Sequence, residues 1–70
     1  MIEVRAEMVA NVWKVLVAEG DHVDEEDTLV ILESMKMEIP VLSEATGIVS
    51  RLCVIEGDVV QEDELIAVID

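Results

Sequence analysis

The sequence is short of most things that hold a small protein together or give it chemistry. Cys53 is its one cysteine and His22 its one histidine, so neither a disulfide nor a usual zinc set can be built. Chains of this size often need one or the other. The same scarcity leaves no nucleophile–base pair and no metal cluster to support catalysis. Basic residues are scarce too: four Lys and Arg stand against 17 Asp and Glu, for a net charge of −13. That charge repels nucleic acid and anionic membrane surfaces, and it keeps a Val-rich chain in solution. No apolar run approaches the roughly 18 residues needed to span a bilayer. The opening stretch, Met1–Val9, has neither the charged start nor the apolar core of a secretory signal. These absences predict a soluble, cytoplasmic protein that binds neither nucleic acid nor membrane; it is also expected to be monomeric on its own. No 3.6-residue period is sustained anywhere, which argues against helices.

What is present is a repeat. Shifted by 37 positions, residues 12–33 align with residues 49–70 without a gap, and seven of the 22 pairs are identical. The identities include Val12/Val49, Glu19/Glu56, Gly20/Gly57, Asp21/Asp58 and Val23/Val60. Each half reads as β. Val15-x-Val17 and Leu52-x-Val54 alternate up to a Glu-Gly-Asp turn, where glycine takes positive φ at no steric cost. A second turn follows at Asp24–Asp27 and at Gln61–Glu64, and then come the apolar runs Leu29–Leu32 and Leu65–Ile69. Runs of that length, bounded by turn signals, suit buried strands. The fold expected over residues 1–70 is a single all-β domain, a flattened barrel or sandwich of two quasi-two-fold related halves. Neither half is thick enough to bury its own face.

The repeat also positions the most unusual stretch, Glu33-Ser34-Met35-Lys36-Met37. The strand ending near Ser34 must turn back into Glu38–Leu42, with only Met35-Lys36-Met37 between them. Lys36 is therefore expected at an exposed hairpin tip, remote from Met1 and Asp70. Two-residue hairpins favour Asn-Gly or Asp-Gly. Met-Lys breaks that rule, and a local rule broken in one place points to function.

Glu33-Ser34-Met35-Lys36-Met37 resembles the biotinyl-lysine motif of the biotin/lipoyl attachment domain family, which generally reads Glu-Ala-Met-Lys-Met. The two Glu-Gly-Asp-x-Val turns and Gly47 match as well, and the resemblance extends from about Val4 to Asp70. Family likeness implies a biotinyl/lipoyl barrel–sandwich fold without the thumb insertion of some members, and a free-standing carrier. It implies covalent biotin on Lys36, with Met35, Met37, Ser34 and Glu33 forming the motif read by a biotin protein ligase. The modified side chain would be a swinging arm, moving a carboxyl group between biotin carboxylase and carboxyltransferase subunits. The protein would itself catalyse nothing. Two other readings stand beside this one. A lipoyl carrier of a 2-oxo acid dehydrogenase or glycine cleavage type normally has Asp-Lys-Ala at the lysine, and lipoate is the alternative cofactor. An unmodified interaction module would leave the Met-Lys tip without a reason.

Departures from the family pattern are local. Ser34 replaces alanine in the motif, and Ala10 stands where the second half keeps Gly47. Glu26 and Asp63 occupy turn positions where glycine is common; glutamate tolerates left-handed backbone poorly, so a different turn is expected at Glu26. Glu33 is a ligase contact or a solvating strand end, and Trp13 a surface ring or a core one. His22 reads as a solvated turn residue, Cys53 as buried mid-strand filler, and Pro40 as the mark of an edge strand.

Overall fold

Strands form where the β-branched runs stand and stop where the acidic turns begin. The computed structural model describes residues Met1–Asp70 as eight strands: β1 (Ile2–Arg5), β2 (Ala10–Val15), β3 (His22–Val23), β4 (Thr28–Ser34), β5 (Met37–Leu42), β6 (Gly47–Leu52), β7 (Val59–Val60) and β8 (Leu65–Ile69). They make two antiparallel sheets of four strands, ordered β1-β8-β6-β3 and β5-β4-β2-β7. The connections Ala6–Val9 and Leu16–Asp21 carry no inserted element. Leu29, Val30, Leu32 and Val12 face Val4, Val49, Ile66, Ala67 and Ile69 across one apolar core. Leu29, Leu32, Ile66 and Ile69 are fully buried, and each such side chain contributes about 1.5–3 kcal/mol of transfer free energy.

The 37-residue repeat is a structural symmetry. Val12 pairs with Leu32 and Lys14 with Ile31; their repeat partners Val49 and Arg51 pair with Ile69 and Val68. The symmetry reaches further back than the gap-free alignment, because Ile2–Arg5 on β8 has the register of Ile39–Leu42 on β4. Each sheet therefore mixes strands of both halves, β1 with β8 and β5 with β4, which lets two thin units cover one another.

The cross-half hydrogen bonds obey the same relation. Glu19 Oε2 accepts from the backbone N–H of Leu52 at 3.0 Å, and Glu56 Oε2 accepts from that of Val15 at 3.1 Å. Asp21 and Asp58 each close their own turn, accepting from the N–H groups of Ala18 and Ile55. Gly20 and Gly57 have φ of 94° and 95°, the left-handed region where a Cβ would be strained.

Several sequence expectations are corrected. Glu26 takes no alternative turn: its φ of 75° matches the 70° of Asp63. The reason lies in the hydrogen bonds, since the Glu26 N–H donates to Ser43 O as the Asp63 N–H donates to Ala6 O. That latch fixes the backbone whatever the side chain. Cys53 is exposed and lies just beyond β6; it is not buried filler. His22 is exposed but pairs with Ile48 in a two-residue strand instead of sitting in the turn. Trp13 is a surface ring, 42% exposed, and Pro40 does lie on an edge strand, β5.

Candidate functional site

The β4–β5 hairpin is built by its register. Leu32 faces Ile39, Glu33 faces Glu38 and Ser34 faces Met37, so only Met35 and Lys36 remain to make the turn. Both have positive φ, 53° and 64°, the combination a type I′ turn requires to match strand twist. Left-handed backbone costs a residue with a Cβ roughly 1–2 kcal/mol. The hairpin holds two such residues in succession, and neither is Gly, Asn or Asp.

Met35 is 88% exposed and Met37 60%. Lys36 is exposed between them, and Glu33 and Ser34 are half-buried. Two ion pairs exist in the protein, Met1 with Asp70 and Arg5 with Glu3, so the Lys36 ammonium has no carboxylate partner. The Arg5 guanidinium is held above its ordinary pKa by its hydrogen bond to Glu3; it belongs to the other sheet. The second lysine, Lys14, lies 5.4 Å from the centroid of the Trp13 ring, a cation–π distance. The two amines thus differ: one is presented at a tip, the other laid over an indole.

Alternation along the hairpin separates its two faces. Leu32, Ser34, Met37 and Ile39 share the core-facing side, while Glu33 and Glu38 lie opposite one another on the outer side. A directly opposed like-charge pair disfavours strand pairing. The sequence motif named Glu33 and missed Glu38. Counting back from a two-residue turn would have paired them.

All five motif residues, Glu33 to Met37, therefore lie at one hairpin. The arrangement presents a primary amine on a four-carbon stem, flanked by thioethers, with the Glu33 and Glu38 carboxylates across from one another below the turn and neither of them paired with the lysine. Chemically it suits acylation by an outside enzyme.

A family profile described as "Biotin-requiring enzyme" matches residues 3–69. The chain is 60% identical over 67 residues to the "Biotinylated protein TB7.3 homolog" of Mycobacterium leprae, covering 96% of this chain and 94% of that protein. It is 43% identical to the "Biotin/lipoyl attachment protein" of Bacillus subtilis, over 90% of this chain and 86% of that one. Among solved structures, the urea carboxylase of Kluyveromyces lactis superposes with a TM-score of 0.91 at 35% identity, covering 99% of this chain and 6% of that protein. The lipoyl domain of the Azotobacter vinelandii 2-oxoglutarate dehydrogenase complex gives a TM-score of 0.85 at 25% identity, over 100% of this chain and 96% of that one.

Proposed function

Because this chain belongs to the biotin-requiring family of biotin/lipoyl attachment domains, we propose that Lys36 is the residue that holds its covalent biotin. The chain is a biotin carrier domain; the relatives named as biotinylated proteins favour biotin over lipoate. The observation that carries the assignment to Lys36 is geometric: an exposed, unpaired ammonium at the tip of a two-residue turn with both φ values positive. Lys14, beside the Trp13 ring, offers no comparable presentation.

The turn does the positioning. It lifts the Lys36 stem beyond the last hydrogen-bonded pair, Ser34 and Met37, so that Nζ can enter another protein's active site. There the neutral amine attacks an activated biotin carboxyl, the activating group leaves and one N–H proton is lost. The amide removes the positive charge, and the apolar Met35 and Met37 then flank a neutral tip, where flexible thioethers pack without a fixed geometry.

When attached, biotin supplies a ureido nitrogen able to carry a carboxyl group. Lysine stem and cofactor tail together extend roughly 15 Å, from covalent bond spacings. A tether of that kind keeps a group at high effective concentration near any site it reaches. The function it serves is transport of a carboxyl group between a biotin carboxylase and a carboxyltransferase. Relatives named as carboxylases, including an acyl-coenzyme A carboxylase subunit of Mycobacterium leprae, support that partnership. The carrier contributes reach and encounter; the chemical barriers are lowered by its partners.

The test is intact mass and streptavidin binding after incubation with a biotin protein ligase, biotin and ATP. The native chain should gain one biotinyl group, and Lys36→Arg should gain none while keeping its fold. Streptavidin binding by the Lys36→Arg protein would sink the assignment.

A further inference from the structure

The duplication supplies an internal control. Every position on the outer face of one sheet has a repeat partner on the other, and the two share one backbone. Differences between them report something other than the needs of the fold.

On the face that carries the hairpin, Ile31 pairs with both Pro40 and Lys14, and Trp13 is the extra residue of a bulge beside them. The bulge turns Trp13 and Lys14 outward together, between buried Val12 and half-buried Val15. Trp13 is 42% exposed, Pro40 is exposed and Ile31 is half-buried. On the other face the repeat partners of Trp13 and Pro40 are Ser50 and Glu3. There the partner of Ile31, Val68, is 3% exposed. The fold thus accepts a polar, sealed surface at these positions. One copy keeps it, and the copy adjoining Lys36 has an aromatic and apolar one instead.

We infer that the outer face of β5-β4-β2, with Trp13, Ile31 and Pro40 as its apolar anchor, is the surface on which the enzyme that acylates Lys36 docks. The inference rests on the carrier reading above and extends it to the partner's footprint. A specific protein complex buries about 800 Å² per partner, against a total accessible surface of 4324 Å² for this chain. A two-residue turn cannot supply that area, so contact must spread onto a contiguous face. Pro40 lies four residues from Lys36, about 13 Å along β5. The bare lysine stem reaches only about 6 Å from its Cα, which brings the acylating site down to the tip and its flanks onto this surface. Enzymes that meet the finished arm, about 15 Å long, are free of that constraint. Glu33 and Glu38 border the patch on the tip side, so the complementary surface is an apolar shelf edged by lysine or arginine side chains.

The experiment measures initial rates of biotin transfer by a purified bacterial biotin protein ligase against carrier concentration, followed by intact mass. The variants are Trp13→Ser and Pro40→Glu, each placing the residue the repeat partner already carries, with Trp13→Phe as the conservative exchange. Each of the first two should raise KM for the carrier about tenfold with kcat unchanged, as expected for a lost apolar anchor remote from the reacting atoms. Trp13→Phe should stay within about twofold of native. Unchanged KM in both variants overturns the docking surface, as does a fall in kcat alone, which would mean that Trp13 orients the hairpin. Loss of the native circular dichroism spectrum in either variant overturns the premise that the fold tolerates a polar face. Failure of the native chain to accept biotin at Lys36 would instead remove the carrier reading.

Discussion

β4 and β5 are joined by Met35-Lys36, whereas β8 and β1 hold the same register with no connection at all. Leu32 faces Ile39 in the first pair, and Ile69 faces Ile2 in the second. At the unconnected place the Met1 ammonium lies 3.9 Å from the Asp70 carboxylate, both well exposed, a contact worth little in water. Pairing in this fold is therefore secured by the core and the ladder, and the turn is dispensable to it. A turn that the fold does not depend on is free to carry residues chosen for another purpose. The strained Met-Lys pair, with φ of 53° and 64°, stands in such a turn.

The equivalence of the two halves is tested most severely in the core. Leu32→Ala and Ile69→Ala remove repeat-related side chains that are both almost fully buried, and each should cost about 2–5 kcal/mol. Urea unfolding should return the two values within about 1 kcal/mol of each other. A large inequality would show that one half carries the fold and the other merely rests on it.

A smaller effect tests where the halves differ. A Cβ on Gly47 would collide with the Asp70 carbonyl oxygen, while the repeat partner, Ala10, is accommodated and buried. Gly47→Ala should cost about 1–3 kcal/mol through overpacking, and Ala10→Gly about 1 kcal/mol or less. Equal costs would mean that β8 simply shifts away. The smallest effect is a gain: replacing Met35-Lys36 by Asn-Gly should stabilise the chain by about 1 kcal/mol, raising Tm by roughly 4–8 °C. Biotin incorporation should disappear in the same protein. A lower Tm would show that the turn contributes packing as well as presentation.

Much of this was legible in the residues. The 37-residue offset placed the halves, the hairpin and its lysine, because turn chemistry and apolar runs are local signals. What escaped depends on contacts between segments far apart in the chain. A bulge breaks the two-residue alternation at Trp13 and Ser50, so the outward direction of the indole could not be read from its neighbours. Cys53 is exposed because β6 and its alternation end at Leu52, where the strand's last donors turn to Ile66 O and Glu19. Left-handed Glu26 follows from a bond to Ser43, invisible to its own propensity. Glu38 lies outside the five-residue motif, and only the pairing with Glu33 brings it to the tip.

The pairing of β1 with β8, Ile2 against Ile69, also governs how the molecule comes into being. During synthesis the first strand emerges early and has no partner until Leu65–Ile69 has left the ribosome. Contacts of such sequence separation make folding slow. A chain cut before Leu65 would keep the Met-Lys-Met sequence but lose the strand that pairs with β1 and β6, and with it Ile66, Ala67 and Ile69 of the core beneath the hairpin sheet.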